Sequence, residues 1–99
     1  MKVVVKPYLF LQQALGFKEA ALDLPDGSTV RCLLQVLRRD YGLPDIFETG
    51  SWQITLIEGD KLIGLLVLAD GHNIKQLRGL QTVLKDGTVI SLFPPAAGG

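Results

Sequence analysis

The C-terminal segment is the part of the sequence whose residue types point to chemistry. Phe93 is followed by two prolines, and the sequence ends in Gly98-Gly99. Consecutive prolines favour an extended conformation that rises about 3.1 Å per residue, so the segment from Pro94 onward can reach roughly 18 to 20 Å from the preceding strand. No residue after the prolines has a side chain larger than a methyl group. Such a tail can enter a narrow channel and present a terminal carboxylate to an enzyme, whereas the alternative is a frayed terminus without a role.

A cysteine nucleophile is the sharpest enzymatic alternative. The chain has one cysteine, Cys32, and one histidine, His72. Cys32 lies within a predicted helix, away from its apolar stripe, and His72 follows a predicted turn. Nothing in the sequence places the two side chains within hydrogen-bond reach of each other, which an activated thiolate requires. We therefore interpret both as residues without a catalytic role.

Composition excludes several other classes of function. A zinc or iron–sulfur site draws on several Cys and His ligands, and no phosphate-binding glycine motif is present, so no metal and no bound cofactor are expected. Ten Lys+Arg balance ten Asp+Glu, which argues against a nucleic-acid partner. The longest apolar run, residues 62–69, is far shorter than the roughly 20 residues of a membrane span. A lone cysteine and no targeting segment predict a cytoplasmic protein that does not enter a membrane.

The elements that must position the tail fit one domain. Apolar residues make up 47% of the 99 residues, enough for a single core. Apolar residues at helical spacing predict a main helix over 29–41, with Thr29 or Ser28 as its N-cap and Gly42 after its end. A short helical turn is predicted over 10–15, before Gly16. The predicted strands are 2–6, 18–24, 52–57, 62–68 and 88–93.

Turn residues separate these elements. Pro7 has no N–H for a ladder, so the first strand should end or form a bulge there. Residues 43–50 are predicted to form a loop, and 76–84 a connection with a helical turn. The predicted tight turns lie at 25–27, 58–61, 70–71 and 86–87. The order of elements indicates an α+β fold in which a mixed sheet of four or five strands packs on one main helix. We expect a domain over 1–93 and an extended tail over 94–99.

Four segments resemble the ubiquitin-like (β-grasp) sulfur carriers, and most closely the small subunit of molybdopterin synthase. The last of them, in which Leu84-Lys85-Asp86-Gly87-Thr88-Val89 leads to Phe93-Pro94-Pro95 and Gly98-Gly99, is the best match. Residues 43–64 lie largely outside the resemblance, and this middle segment is longer than is usual in the family. The other matching segments are 3–6 with Leu15-Gly16, 24–30, and 67–71 with Ile74.

The resemblance implies a β-grasp fold and a carrier function. Sulfur would be held as a thiocarboxylate on Gly99, after a partner adenylating enzyme had activated that carboxylate with ATP. The tail, carrying the thiocarboxylate sulfur, would then enter the large subunit of molybdopterin synthase. Gly98, Pro95 and Pro94 would thread the channel, and Phe93 would help to bind the partner. The carrier itself would be a non-catalytic subunit.

Three other functions remain open at this point. A ubiquitin-like modifier would activate the same C-terminal glycine but join it to lysines of other proteins. A sulfur carrier of the thiamine pathway has similar features, although the Phe-Pro-Pro sequence favours the molybdopterin branch. A β-grasp interaction module with an inert tail is the fourth possibility.

Overall fold

The computed structural model describes residues 1–95, apart from the side chain of Thr49. Two 3₁₀ turns, Ile74–Gln76 and Gly79–Gln81, lie before the last strand. In chain order the strands and helices are β1 (Lys2–Pro7), α1 (Phe10–Leu15), β2 (Ala20–Asp23), α2 (Val30–Tyr41), β3 (Ile46–Thr49), β4 (Trp52–Thr55), β5 (Ile57–Glu58), β6 (Lys61–Leu62), β7 (Leu66–Ala69), β8 (His72–Asn73) and β9 (Val89–Phe93).

The main sheet has five strands in the order β2-β1-β9-β7-β8. Strands β1 and β9 are parallel, and the other neighbours are antiparallel. The first strand ends at Pro7 as predicted, and Tyr8 N–H then donates to the carbonyl of Leu92 at 3.0 Å. A mixed sheet with one main helix across its inner face is the predicted β-grasp, so the expectation for the fold is confirmed.

The main helix begins and ends as its sequence predicts. The Thr29 hydroxyl accepts a hydrogen bond from Cys32 N–H, and Gly42 closes the helix in the left-handed conformation with φ 74°. A residue with a Cβ adopts that conformation at a cost, which explains the glycine. The buried face of α2 consists of Val30, Leu33, Leu34 and Leu37.

The core lies between α2 and the inner face of the sheet. Alternate residues of the central strands point inward, as the period of a β-strand requires. Each fully buried apolar side chain of this kind contributes about 1.5 to 3 kcal/mol. The inward residues with the smallest exposed fractions include Val3, Val5, Val67, Ile90 and Leu92.

The middle segment differs from the prediction. Residues 46–49, predicted as part of a loop, form β3 and pair with β4 in a separate hairpin. Pro44, Asp45 and Gly50 are typical of loops, but Phe47 stacks on Phe10 of α1 with ring centroids 4.0 Å apart. This tertiary contact stabilises a strand that local preference does not predict.

Two predicted strands are each divided in two. The strand over 52–57 is interrupted at Leu56, and the strand over 62–68 is interrupted at residues 63–65. The carbonyl of Leu56 accepts hydrogen bonds from the amides of Ile63, Gly64 and Leu65, at 3.0, 3.2 and 3.3 Å. Because these amides bond to one carbonyl, they cannot continue a strand ladder.

Within residues 1–95, no helix has the length and apolar character needed to cross a membrane.

Candidate functional site

The described part of the predicted site is the root of the tail, residues 93–95. Phe93 is half-buried at the end of β9, Pro94 is buried, and Pro95 is half-buried. Gly98 and Gly99, which the sequence predicts as the reactive end, lie outside the described residues. The first two residues of the predicted tail therefore pack on the domain.

Phe93 is fixed by the strand that carries it. Strand β9 lies between β1 and β7, so its end has a partner on each side. Phe93 is opposite Leu66 in the antiparallel register. The ring of Tyr8 stacks on the ring of Phe93, with centroids 4.3 Å apart and an interplanar angle of 7°. Such a pair contributes about 0.5 to 1.5 kcal/mol beyond the area it buries.

Pro95 lies against Gly64, which precedes β7. A Cβ on Gly64 would lie 3.2 Å from Cγ of Pro95 and 2.6 Å from the carbonyl oxygen of Thr55. Sequence reasoning did not assign Gly64 to the site. A signal for it existed, because an isolated glycine within an apolar strand pattern often marks a close approach of another backbone or a ligand.

The outer face of the sheet adjoins the tail root. We use this name for the side chains of β1, β7 and β9 that alternate with the buried ones and so point away from α2. They are mostly apolar and are half-buried or exposed. A face of this kind, continuous with Phe93, is suited to contact a partner protein. The outer face comprises Val4, Leu66, Leu68, Val89, Ser91 and Phe93, together with Lys2 and Lys6 of β1.

Ion pairs border this face on the side of β2. Lys2 Nζ lies 2.9 Å from a carboxylate oxygen of Asp23, and Lys6 Nζ lies 3.5 Å from one of Glu19. The hydrogen bond from Lys2 holds the pKa of Asp23 below its usual value. Both pairs are solvent-exposed, so they contribute little to stability. They give the apolar face a charged rim of the kind found around interfaces.

Cys32 and His72 lie on different elements. Cys32 is half-buried in the first turn of α2, and its pKa is lowered chiefly by the hydrogen bond that the Thr29 hydroxyl donates to its sulfur. His72 is exposed on β8, directly after the turn at 70–71, as expected. A Cys–His pair needs direct contact between thiol and imidazole; no hydrogen bond joins them within the described part of the chain.

The described residues contain no set of three or more His, Cys, Asp or Glu side chains that could hold a metal ion. Every buried polar side-chain atom among them has a hydrogen-bond partner. Residues 1–95 thus show an apolar outer face and an anchored tail root, and the reactive group that the sequence predicts, the carboxylate of Gly99, lies outside the described residues.

Comparison with known proteins agrees with this description. The ThiS family model matches residues 9–99. Small archaeal modifier protein 3 of Haloferax volcanii is 27% identical over 99 residues, which is 100% of both chains.

Solved structures with the same fold include two informative examples. The small archaeal modifier protein 1 of Methanosarcina acetivorans has a TM-score of 0.72 and 29% identity, and the match covers 99% of this chain and 96% of that one. A putative molybdopterin converting factor, subunit 1, of Pyrococcus furiosus has a TM-score of 0.71 and 24% identity, with 97% and 99% covered. The second likeness shows the fold alone. Since the family model spans residues 9–99, the chain belongs to the ThiS family of ubiquitin-like sulfur carriers.

Proposed function

We propose that this protein carries sulfur as a thiocarboxylate on Gly99 and donates it in the biosynthesis of molybdopterin. The observation that carries the proposal is the continuity of the apolar outer face with the anchored tail root at Phe93. A partner that docks on this face would find the tail beginning at a fixed position. The side-chain-poor sequence after Pro95 suits entry into an active site on that partner.

The chemistry at Gly99 follows from the weak electrophilicity of a carboxylate. An adenylating partner enzyme joins the carboxylate to the AMP part of ATP and releases pyrophosphate. The terminal sulfur of a persulfide donor then attacks the carbonyl carbon, and AMP leaves. A second thiol breaks the resulting S–S bond by exchange, so that the sulfur stays on Gly99 as the thiocarboxylate. ATP is bound by the adenylating enzyme, and the carrier needs no cofactor of its own.

The large subunit of molybdopterin synthase is the proposed acceptor. The Phe93-Pro94-Pro95 sequence, which resembles that of the molybdopterin branch of the family, supports this choice. In the complex with the large subunit, Gly98 and Gly99 would allow the tail to pass through a narrow channel, because they have no Cβ.

A second candidate is a protein modifier that forms isopeptide bonds with lysines. The full-length similarity to small archaeal modifier protein 3 favours it specifically. Both functions require the same adenylated Gly99, and they differ in the nucleophile that follows.

Intact mass spectrometry tests the shared step and its sulfur branch. The protein is incubated with ATP, a persulfide donor and its adenylating enzyme, and a variant without Gly99 serves as control. We expect the full chain to gain the mass difference between sulfur and oxygen, and the truncated chain to gain nothing while unfolding at the same urea concentration. An equal gain in the truncated chain would contradict the role of Gly99.

The acceptor is then identified separately. Transfer of the sulfur to a pterin precursor by the synthase large subunit would support the molybdopterin branch. Slow-migrating covalent conjugates of the tagged protein in its native cells, without such transfer, would establish the modifier instead.

A further inference from the structure

Gly64, in the middle segment, lies directly against Pro95 at the root of the tail. The distances from a Cβ at this position are 2.6 Å to the Thr55 carbonyl oxygen, and 3.2 and 3.4 Å to Cγ and Cδ of Pro95. Side chains do not approach a backbone oxygen to 2.6 Å, so a Cβ here would force the backbone or the proline ring to move. The bare α carbon of Gly64 thus makes room for two neighbours at once.

Space, and not backbone conformation, accounts for this glycine. Eight of the glycines in the described residues have positive φ, and they lie in turns or at helix ends. Gly64 does not have positive φ. An alanine could therefore adopt the backbone conformation of residue 64, and its methyl group would be the whole perturbation.

The surroundings of Gly64 are fixed to the body of the domain. Its amide and those of its two neighbours donate to the Leu56 carbonyl, and the Leu56 amide donates to the Asp45 carbonyl at 2.7 Å. The side chain of Asp45 forms an ion pair with Arg38 of α2. Leu56 is fully buried, and Leu65 is 3% exposed. The backbone around Gly64, on which the Pro95 ring packs, therefore has little freedom to shift.

The hairpin of β3 and β4 supplies the Thr55 carbonyl that lies beside Gly64. Thr55 is the last residue of β4 and is opposite Ile46 of β3. The hairpin is held against α1 by the stack of Phe47 on Phe10. Gly64 and Thr55, which lie at the contact with Pro95, thus belong to the segment that is largely outside the family resemblance.

We propose that Gly64 is a positioning residue for the tail. With the Thr55 carbonyl it forms a seat for the Pro95 ring, and this seat sets the direction of the chain at residue 95. The direction in turn determines where the Gly99 carboxylate meets the adenylating enzyme. This inference rests on the proposed function, because it concerns the delivery of the same carboxylate.

Two single variants and their combination test the seat kinetically. Gly64→Ala fills it, and Pro95→Ala removes the ring that occupies it. The outer face is untouched in both, so we expect an unchanged KM for the carrier and a kcat of thiocarboxylate formation that falls between about tenfold and a hundredfold, as a misplaced reacting group requires. The double variant should be no slower than the slower single one, since both changes break one contact. Ile63→Ala, an exposed neighbour in the same connection, should react at the normal rate.

A nuclear Overhauser effect tests the seat without any enzyme. We expect cross-peaks between the Pro95 ring protons and the α protons of Gly64 in the wild type and in Ile63→Ala, and their loss in Pro95→Ala. Absence of these cross-peaks from the wild type would overturn the seat. Normal kcat in Pro95→Ala, or losses that multiply in the double variant, would overturn its role in positioning. If Gly64→Ala does not fold, Pro95→Ala alone decides the outcome.

Failure of the proposed function has a different result. In that case the wild type shows the cross-peaks but gains no sulfur in the mass measurement. This result would contradict the role of the seat in delivering the Gly99 carboxylate, but it would still confirm the contact between Gly64 and Pro95.

Discussion

Replacement of Phe93 by alanine tests whether the end of β9 is held by its aromatic contact. The ring is half-buried and stacks on Tyr8 at 4.3 Å. Full burial of a phenylalanine contributes up to about 3 kcal/mol, so the lost burial is about 1 kcal/mol. The lost stack adds about 1 kcal/mol. We expect Phe93→Ala to lower the free energy of unfolding by about 2 kcal/mol, which corresponds to a fall in Tm of roughly 8 to 16 °C for a domain of this size.

Urea unfolding followed by circular dichroism measures this loss. The double-mutant cycle of Phe93→Ala and Tyr8→Ala should give a coupling energy of about 1 kcal/mol. Phe17→Ala is the matched control, because it also removes one ring of an aromatic pair. Phe17 packs edge-on against Tyr41, with ring centroids 5.3 Å apart, near the C-terminal ends of both helices. The Phe17→Ala variant should lose stability without a change in the KM for the adenylating enzyme, whereas Phe93→Ala should raise that KM. A loss below about 0.5 kcal/mol in Phe93→Ala, or a coupling energy near zero, would refute the reasoning.

Two further substitutions separate docking from folding. Leu66→Lys places a charge on the outer face at a side chain that is 39% exposed. The free energy of unfolding should change by less than about 0.5 kcal/mol, while the KM for the adenylating enzyme should rise. An unchanged KM would exclude this face from docking. Thr29→Ala removes the N-cap of α2 and should cost about 1 kcal/mol in urea unfolding. The same substitution removes the hydrogen bond that lowers the pKa of Cys32. The pH at which the Cys32 thiol becomes reactive towards a disulfide reagent should therefore rise. An unchanged pH dependence would contradict the assignment of the lowered pKa to this hydrogen bond.

Elements with a local cause could be predicted from the sequence. The helix α2 has a capping threonine, an apolar face at helical spacing and a terminal glycine, all within a stretch of 14 residues. The turns at 70–71 and 86–87 lie where Asp-Gly pairs predict them, and both glycines have positive φ. Each of these features depends on neighbours in the chain, so periodicity and residue type suffice.

The strand β3 could not be predicted in this way. Its residues follow a proline and an aspartate and precede a glycine, which together are typical of a loop. The strand exists because it pairs with β4 and because Phe47 meets Phe10, which is distant in sequence. The interruptions at Leu56 and at 63–65 likewise come from hydrogen bonds between separate segments.

The candidate site divides along the same line. The sequence by itself determined the nature of the tail, since the prolines restrict its backbone and the glycines remove its side chains. Its resemblance to the sulfur carriers also indicated the family, which the match over 9–99 confirms. Only the tertiary structure decided how the tail root is held. The contact between Gly64 and Pro95 joins residues far apart in the chain, and such a contact leaves no periodic pattern because packing, and not local conformational preference, creates it.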